Sequence, residues 1–243
     1  MILTYKVYSG LGNREINEDS VGELETEKGH CFIVADGLGG HGHGEVASAI
    51  ALDSALSSFE QCEIADVLEN SFIMAQNRIL AEQQDNPVVS DMKTTMVDLI
   101  INVDGTARWG HIGDSRLYFF RNGKIKMRTL DHSVPQMLVS LGEITPDEIR
   151  GHEDRNRLLR VIGAEWESQA YEIGEEVSIK PKDAFLLCTD GFWELIDEEE
   201  MQRTWKAAQT VEEWMDMMIA EVLNNGANVS MDNNTAIAIW VNK

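Results

Sequence analysis

Four aspartates sit at the lips of apolar runs: Asp36 in FIVADG, Asp114 in GHIGDS, Asp190 in FLLCTDG and Asp232 in SMDNNTAIAIWV. An Asp-Gly pair at the end of a strand is a common turn, so any one of them alone says little. Four carboxylates brought together by rigid elements would form a cage of hard oxygen donors. Mg²⁺ and Mn²⁺ seek such a cage, and their charge offsets the repulsion among the acids. Arg14, in GLGNREINEDS, lies among three acids. Its planar fork suits either a surface ion pair or a phosphate dianion held beside the metals.

Other chemistries compete for some of the same residues. Gly37 to Gly42 reads GLGGHG, which satisfies the G-x-G-x-x-G pattern of a dinucleotide site. That fold needs a second strand after the helix, with an acid about 20 residues on, whereas EIADVLENSFIMAQNRILAEQ is helical. GDSRL at 113 to 117 resembles the signature of serine esterases, which would make Ser115 a nucleophile. A histidine base would then follow far downstream, and the last histidine is His152, so Ser115 reads as a turn residue. His41 and His43 in GGHGHGE are either metal ligands or plain residues of a glycine loop. The basic cluster Arg150, Arg155, Arg157 and Arg160 is either a solvated helix face or a flap that attracts phosphorylated segments.

The elements that must position these residues follow from periodicity. HCFIVADG (30 to 37) is a short apolar run ending in a turn, the pattern of a buried strand. Beyond Gly44, Val46, Ala49, Ile50, Leu52, Leu56 and Phe59 recur at helical spacing, and a second helix is expected over about 63 to 84. From Thr94 to Arg128 four strands, TTMVDLIINV, TARWGHIG, SRLYFF and KIKMR, are punctuated by Asp104-Gly105 and Asn122-Gly123, which predicts one antiparallel meander. Residues 131 to 167 are polar and irregular with short helices. YEIGEEVSI, AFLLCTDG and TAIAIWV return as strands, with helices over 197 to 207 and 210 to 224. Strands in runs and helices in pairs point to antiparallel sheets covered by helices, an α+β layered fold.

Composition narrows the partners. The 243 residues carry 42 acids against 20 bases, a formal charge of -22, so nucleic acid and anionic membrane surfaces are repelled while cations are attracted. No apolar stretch is long enough to span a membrane and the start has no leader pattern, which predicts a cytoplasmic protein. Cys31, Cys62 and Cys188 are scattered and odd in number, as reduced thiols are.

Taken in order, R-E-I-N-E-D-S (14 to 20), V-A-D-G-L-G-G-H (34 to 41), K-T-T (93 to 95), G-D-S-R (113 to 116), D-H-S (131 to 133), R-N-R-L (155 to 158), C-T-D-G (188 to 191) and D-N-N-T (232 to 235) resemble the metal-dependent protein phosphatase family (PPM, type 2C), in particular its compact bacterial members. The resemblance spans nearly the whole chain. It implies a single catalytic domain over 1–243, with 131–167 as a flap, built as a four-layer α-β-β-α sandwich with two central antiparallel sheets and a metal centre at one end. It further implies two Mn²⁺ or Mg²⁺ ions, or three. Asp36 would bridge two of them, the Gly37 carbonyl would bind one, and Asp190 and Asp232 would bind the other. Asp114, with Asp190, matches a third site, Glu18 and Asp19 match acids that orient metal-bound waters, and Arg14 matches the phosphate-binding arginine. The implied activity is hydrolysis of phosphoserine and phosphothreonine in proteins by a metal-activated water. The chain would act as a monomer opposing a bacterial Ser/Thr kinase and acting on its targets; the alternative is an inactive member that only binds phosphoproteins. Three positions depart from the family pattern. Leu38 replaces a histidine proposed in many eukaryotic relatives to protonate the leaving alkoxide, leaving His41 or a metal-bound water for that role. Glu194 replaces an aspartate, and Lys93 replaces a glycine.

Overall fold

The computed structural model describes residues 2–38 and 43–242; His41 lies outside the described residues. The elements, in chain order, begin with β1 (Ile2–Gly10), β2 (Asp19–Thr26), β3 (Gly29–Leu38), α1 (Gly44–Gln61) and α2 (Val67–Asp85). They continue with β4 (Lys93–Thr94), β5 (Met96–Asn102), β6 (Thr106–Ile112), β7 (Arg116–Arg121), β8 (Lys124–Arg128) and α3 (Val134–Leu141). The remainder comprises β9 (Glu172–Ile173), β10 (Val177–Ser178), β11 (Asp183–Cys188), α4 (Asp190–Trp193), α5 (Glu198–Ala207), α6 (Val211–Gly226) and β12 (Asn234–Asn242).

Two antiparallel sheets result. One has the order β1-β12-β11-β7-β8; the other runs β10-β6-β5-β3-β2, with β9 beside β6 and β4 beside β3. The apolar runs are continuous because their strands are buried on both faces. In β3, Phe32 and Val34 enter the core between the sheets, while Ile33 and Ala35 pack beneath α1 and α2. In β11, Phe185 and Leu187 face the other sheet, and Ala184, Leu186 and Cys188 meet Trp214, Met215 and Met218 of α6. Each large apolar side chain so buried contributes about 1.5–3 kcal/mol. The layers are therefore helices, sheet, sheet, helices, as the family resemblance implies. None of the described helices is long and apolar enough to cross a membrane.

The helix starts follow their capping residues. Asp197 accepts the Glu200 amide at 2.8 Å to open α5, and Thr210 accepts that of Glu213 at 3.2 Å to open α6. The helix expected from about 63 begins at Val67, after a turn over Ile64 to Asp66.

The expected single meander is instead two hairpins in different sheets. β5 and β6 belong to one and β7 and β8 to the other. The chain crosses between them at Gly113-Asp114-Ser115, where Gly113 takes a φ of 94° and a Cβ would strike Thr95. Alternation along a strand is the same whichever sheet the next strand joins, so periodicity cannot reveal the crossing. YEIGEEVSI likewise forms two short strands, β9 and β10, separated at Gly174.

Candidate metal centre

One end of the sandwich carries an open cavity of about 430 Å³, and the four aspartates singled out above all line it. They arrive differently from expectation in two cases. The strand that delivers Asp190 stops at Cys188, and Asp190 is the first residue of the short helix α4. Asp232 lies two residues ahead of β12. Asp36 is inside β3, and Asp114 follows β6 at the crossing.

Hydrogen bonds fix the backbone around each acid. The Asp36 amide donates to Thr95 Oγ1 at 3.0 Å, and its carbonyl accepts from Thr94 Oγ1 at 2.8 Å and from the Thr95 amide at 2.9 Å. Thr95 Oγ1 also meets Ser115 Oγ at 2.7 Å, so the K-T-T segment ties Asp36 to the loop that presents Asp114. That contact occupies Ser115, which is 1% exposed, as a structural turn residue. Trp193 Nε1 donates to the Asp114 carbonyl at 3.0 Å.

Glu18 and Asp19 hold the second strand against this frame. Asp19 pairs with Asp36 across β2 and β3, and its Oδ2 accepts from Thr189 Oγ1 at 3.0 Å. Glu18 accepts the Gly44 amide on Oε1 at 3.1 Å, so it caps α1, while its carbonyl accepts the Gly37 amide at 3.1 Å. Gly37 and Gly44 approach so closely that a Cβ on either would overlap the other's backbone. This contact explains both glycines. His43 starts α1 with its ring near Glu45 and does not line the cavity.

Asn233 is an organising residue that pattern reasoning passes over. Its Nδ2 donates to the carbonyls of Leu11 (2.9 Å) and Ile16 (3.1 Å), and its Oδ1 accepts the Glu18 amide at 2.9 Å. The loop carrying Arg14 is thereby pinned beside Asp232, whose Oδ2 accepts from Arg14 Nη2 at 2.6 Å. The signal was the side-chain amide within D-N-N-T, which has no periodicity to betray it. The motif residues Arg116 and Asp131 prove to be one buried ion pair, with bonds of 2.8 and 2.6 Å, and the Arg116 guanidinium stacks 3.3 Å over Trp193.

The electrostatics are those of a site built for added positive charge. Burial, then Asp190, Asp19 and Asp114, hold the Asp36 carboxyl well above the usual carboxylate range. Burial and Asp190 do the same to Asp114, and burial with Asp232 raises Asp190. Asp19 is pushed up to about 7, mainly by burial, and its Oδ1 is shielded from water with no hydrogen-bond partner among the described residues. A cluster of all-oxygen donors that resist ionising together, with an orphaned acceptor among them, fits hard divalent cations.

The family profile described as Protein phosphatase 2C matches residues 8–226. The chain belongs to the protein phosphatase 2C family. A serine/threonine phosphatase stp from Listeria innocua is 30% identical to this family member over 93% of the chain and 90% of its own length. The crystal structure of the phosphatase Stp1 from Staphylococcus aureus superposes with a TM-score of 0.90 at 27% identity, covering 100% of this chain and 96% of that one. The catalytic domain of the serine/threonine phosphatase PstP, solved with two manganese ions, matches with a TM-score of 0.82 at 27% identity over 99% of both chains.

Two other groups in this phosphatase are explained without an ion. His111, His132 and Glu172 offer ligand atoms within 4.8 Å of one another. However, the two imidazoles stack at 4.7 Å and 12°, and a ligated ion lies near the plane of each ring, which parallel stacked rings cannot share. His132 Nδ1 accepts the Gly113 amide at 3.2 Å, so its Nε2 carries the proton of the neutral ring. Of the four arginines, Arg150 donates to the carbonyls of Trp193 and Ile196, Arg155 pairs with Glu194 at 3.3 Å and Arg160 with Glu172 at 3.5 Å. These three tie the irregular segment down, and Asn156 and Leu158 of that segment reach the cavity wall.

Proposed function

We propose that this chain hydrolyses phosphoserine and phosphothreonine esters in proteins by direct attack of water, and that it opposes a bacterial Ser/Thr kinase. The observation that carries the reading is the convergence of Asp36, Asp114, Asp190 and Asp232 on one cavity with Arg14 at its rim. We assign Asp36, the Gly37 carbonyl, Asp190 and Asp232 as ligands of two Mn²⁺ or Mg²⁺ ions, with Asp114 and Asp190 available to a third. Bound there, such cations supply Lewis acidity, making a water a competent nucleophile at neutral pH and neutralising charge at phosphorus.

The protein groups then have separate tasks. Arg14 keeps one donor on Asp232 and offers the rest of its five N–H donors to the phosphate dianion, which lowers the electrostatic barrier to attack. Asp19, on the strand facing Asp36, and Glu18, just before it, orient waters at the centre. The whole chain is one catalytic domain in which 131–167 acts as a flap over the substrate. Its three unpaired cysteines, two of them buried, suit a cytoplasmic setting.

The test is turnover of a phosphothreonine peptide with Mn²⁺, with Mg²⁺ and with EDTA. Metal-dependent release of phosphate is expected. A folded protein that turns over nothing with either metal overturns the reading in favour of a phosphoprotein-binding member.

A further inference from the structure

Breaking a phosphate ester of serine or threonine leaves an alkoxide, a strong base that needs a proton as the bond breaks. The described wall of the cavity restricts which group can supply it. Of its six acids, Asp36, Asp114, Asp190 and Asp232 are the cluster proposed to hold cations and so act as anions, Glu18 accepts the Gly44 amide, and Asp91 is exposed to solvent. Arg14 is committed to Asp232, and a guanidinium does not surrender its proton in a protein. Leu38, next along the strand from Gly37, has no proton to give. The one cationic group left among the described residues lining the cavity, and the one that carries its transferable proton as an ammonium, is Lys93.

Its placement is firm. Lys93 pairs with Leu38 in the register of β3 and β4, and the next residue, Thr94, pairs with Gly37 and donates to the Asp36 carbonyl. Thr94 is also bonded through both backbone groups to Ile162, at 3.1 and 2.9 Å. The root of the lysine is thus anchored on either side while its four-carbon stem leaves the ammonium free to move. Lys93 forms no ion pair among the described residues, although it shares the cavity wall with six acids.

We propose that Lys93 is the general acid that protonates the leaving oxygen. As the oxygen of water bonds to phosphorus, the P–O bond to the serine or threonine oxygen breaks. The released electron pair takes a proton from the Lys93 ammonium, giving the free hydroxyl, inorganic phosphate and a neutral amine that regains its proton from solvent. The transfer is downhill, since an alkoxide is a far stronger base than an amine. The inference rests on the phosphatase reading and extends it to one residue.

Leaving-group dependence separates this role from simple phosphate binding. p-Nitrophenolate departs without a proton, whereas a threonine alkoxide does not. For Lys93→Met with saturating Mn²⁺, kcat on a phosphothreonine peptide should fall about 100-fold or more, while kcat on p-nitrophenyl phosphate should change by less than about threefold. Lys93→Arg keeps the charge but not the transferable proton, and should show the same selective loss. Melting temperatures of both variants should match the parent, which excludes misfolding. Equal losses on both substrates, a rise confined to KM, full rescue by arginine, or a selective loss in His41→Ala in place of Lys93→Met would each overturn the assignment. A parent protein inactive on both substrates would instead refute the phosphatase reading itself.

Discussion

Asp19 stands directly across from Asp36 in the antiparallel register of β2 and β3, and its charge adds to the burial and the Asp190 charge that keep Asp36 from ionising. Without cations this is a destabilising arrangement held in place by the backbone bonds of Thr94 and Thr95. Asp36→Asn should therefore melt higher than the parent in EDTA at pH 7, by about 1 kcal/mol, while losing phosphatase activity. Thermal melts of the two proteins in EDTA check this, and a lower melting temperature for the variant would contradict it.

The Arg116–Asp131 pair joins two motifs that are 15 residues apart, and both side chains are almost fully buried. Removing the acid leaves a buried guanidinium uncompensated. Asp131→Ala should cost about 3–5 kcal/mol in urea unfolding. A loss below about 1 kcal/mol would mean that Glu198, 3.8 Å from Arg116, already compensates the charge.

Asp98 does not line the cavity; it lies on β5 beside Cys31, whose thiol donates to its Oδ1 at 3.4 Å. Burial pushes the carboxyl up to about 7, and its Oδ2 has no partner among the described residues. The folded protein therefore holds this proton more tightly than the unfolded chain, whose value is about 3.9. The corresponding stability is full below about pH 4 and is lost as the pH rises through about 7. Asp98→Asn stays neutral, so its stability should decline less over that interval and exceed the parent's at pH 8 by on the order of 1–3 kcal/mol. Denaturant titrations at pH 5 and pH 8 give both slopes; identical slopes would refute the role of Asp98.

Asn233 acts through the loop it holds. Asn233→Ala frees the carbonyls of Leu11 and Ile16 and the Glu18 amide at once, releasing Arg14 from its place beside Asp232. We expect kcat/KM on a phosphothreonine peptide to drop about 100-fold with Mn²⁺ affinity largely kept. Unchanged kinetics would show that the Arg14–Asp232 contact positions the loop unaided.

Much of this architecture is legible in the residues themselves. FIVADG, FLLCTDG and TAIAIWV stand out because their strands are buried on both faces, and the aspartates at their ends are conspicuous against such apolar runs. The edge strands β1 and β2 are not legible, since their side chains are mostly half-buried or exposed and show no clean alternation. The crossing at Gly113 is hidden because strand periodicity says nothing about which sheet a hairpin joins. The short helix at Asp190 is hidden because four residues are too few to display a period. The pairings of Asn233 with the Arg14 loop and of Arg116 with Asp131 depend on tertiary proximity, which local pattern does not encode.

The central claim is that the convergent aspartates form a divalent-cation centre. Isothermal titration of MnCl₂ into EDTA-stripped protein tests it most directly, with Asp36→Asn and Asp190→Asn measured beside the parent under the same conditions. The account predicts saturable binding by the parent and a loss of affinity of at least about 10-fold in each variant. No saturable heat from the folded parent, or equal affinity in all three proteins, would contradict it.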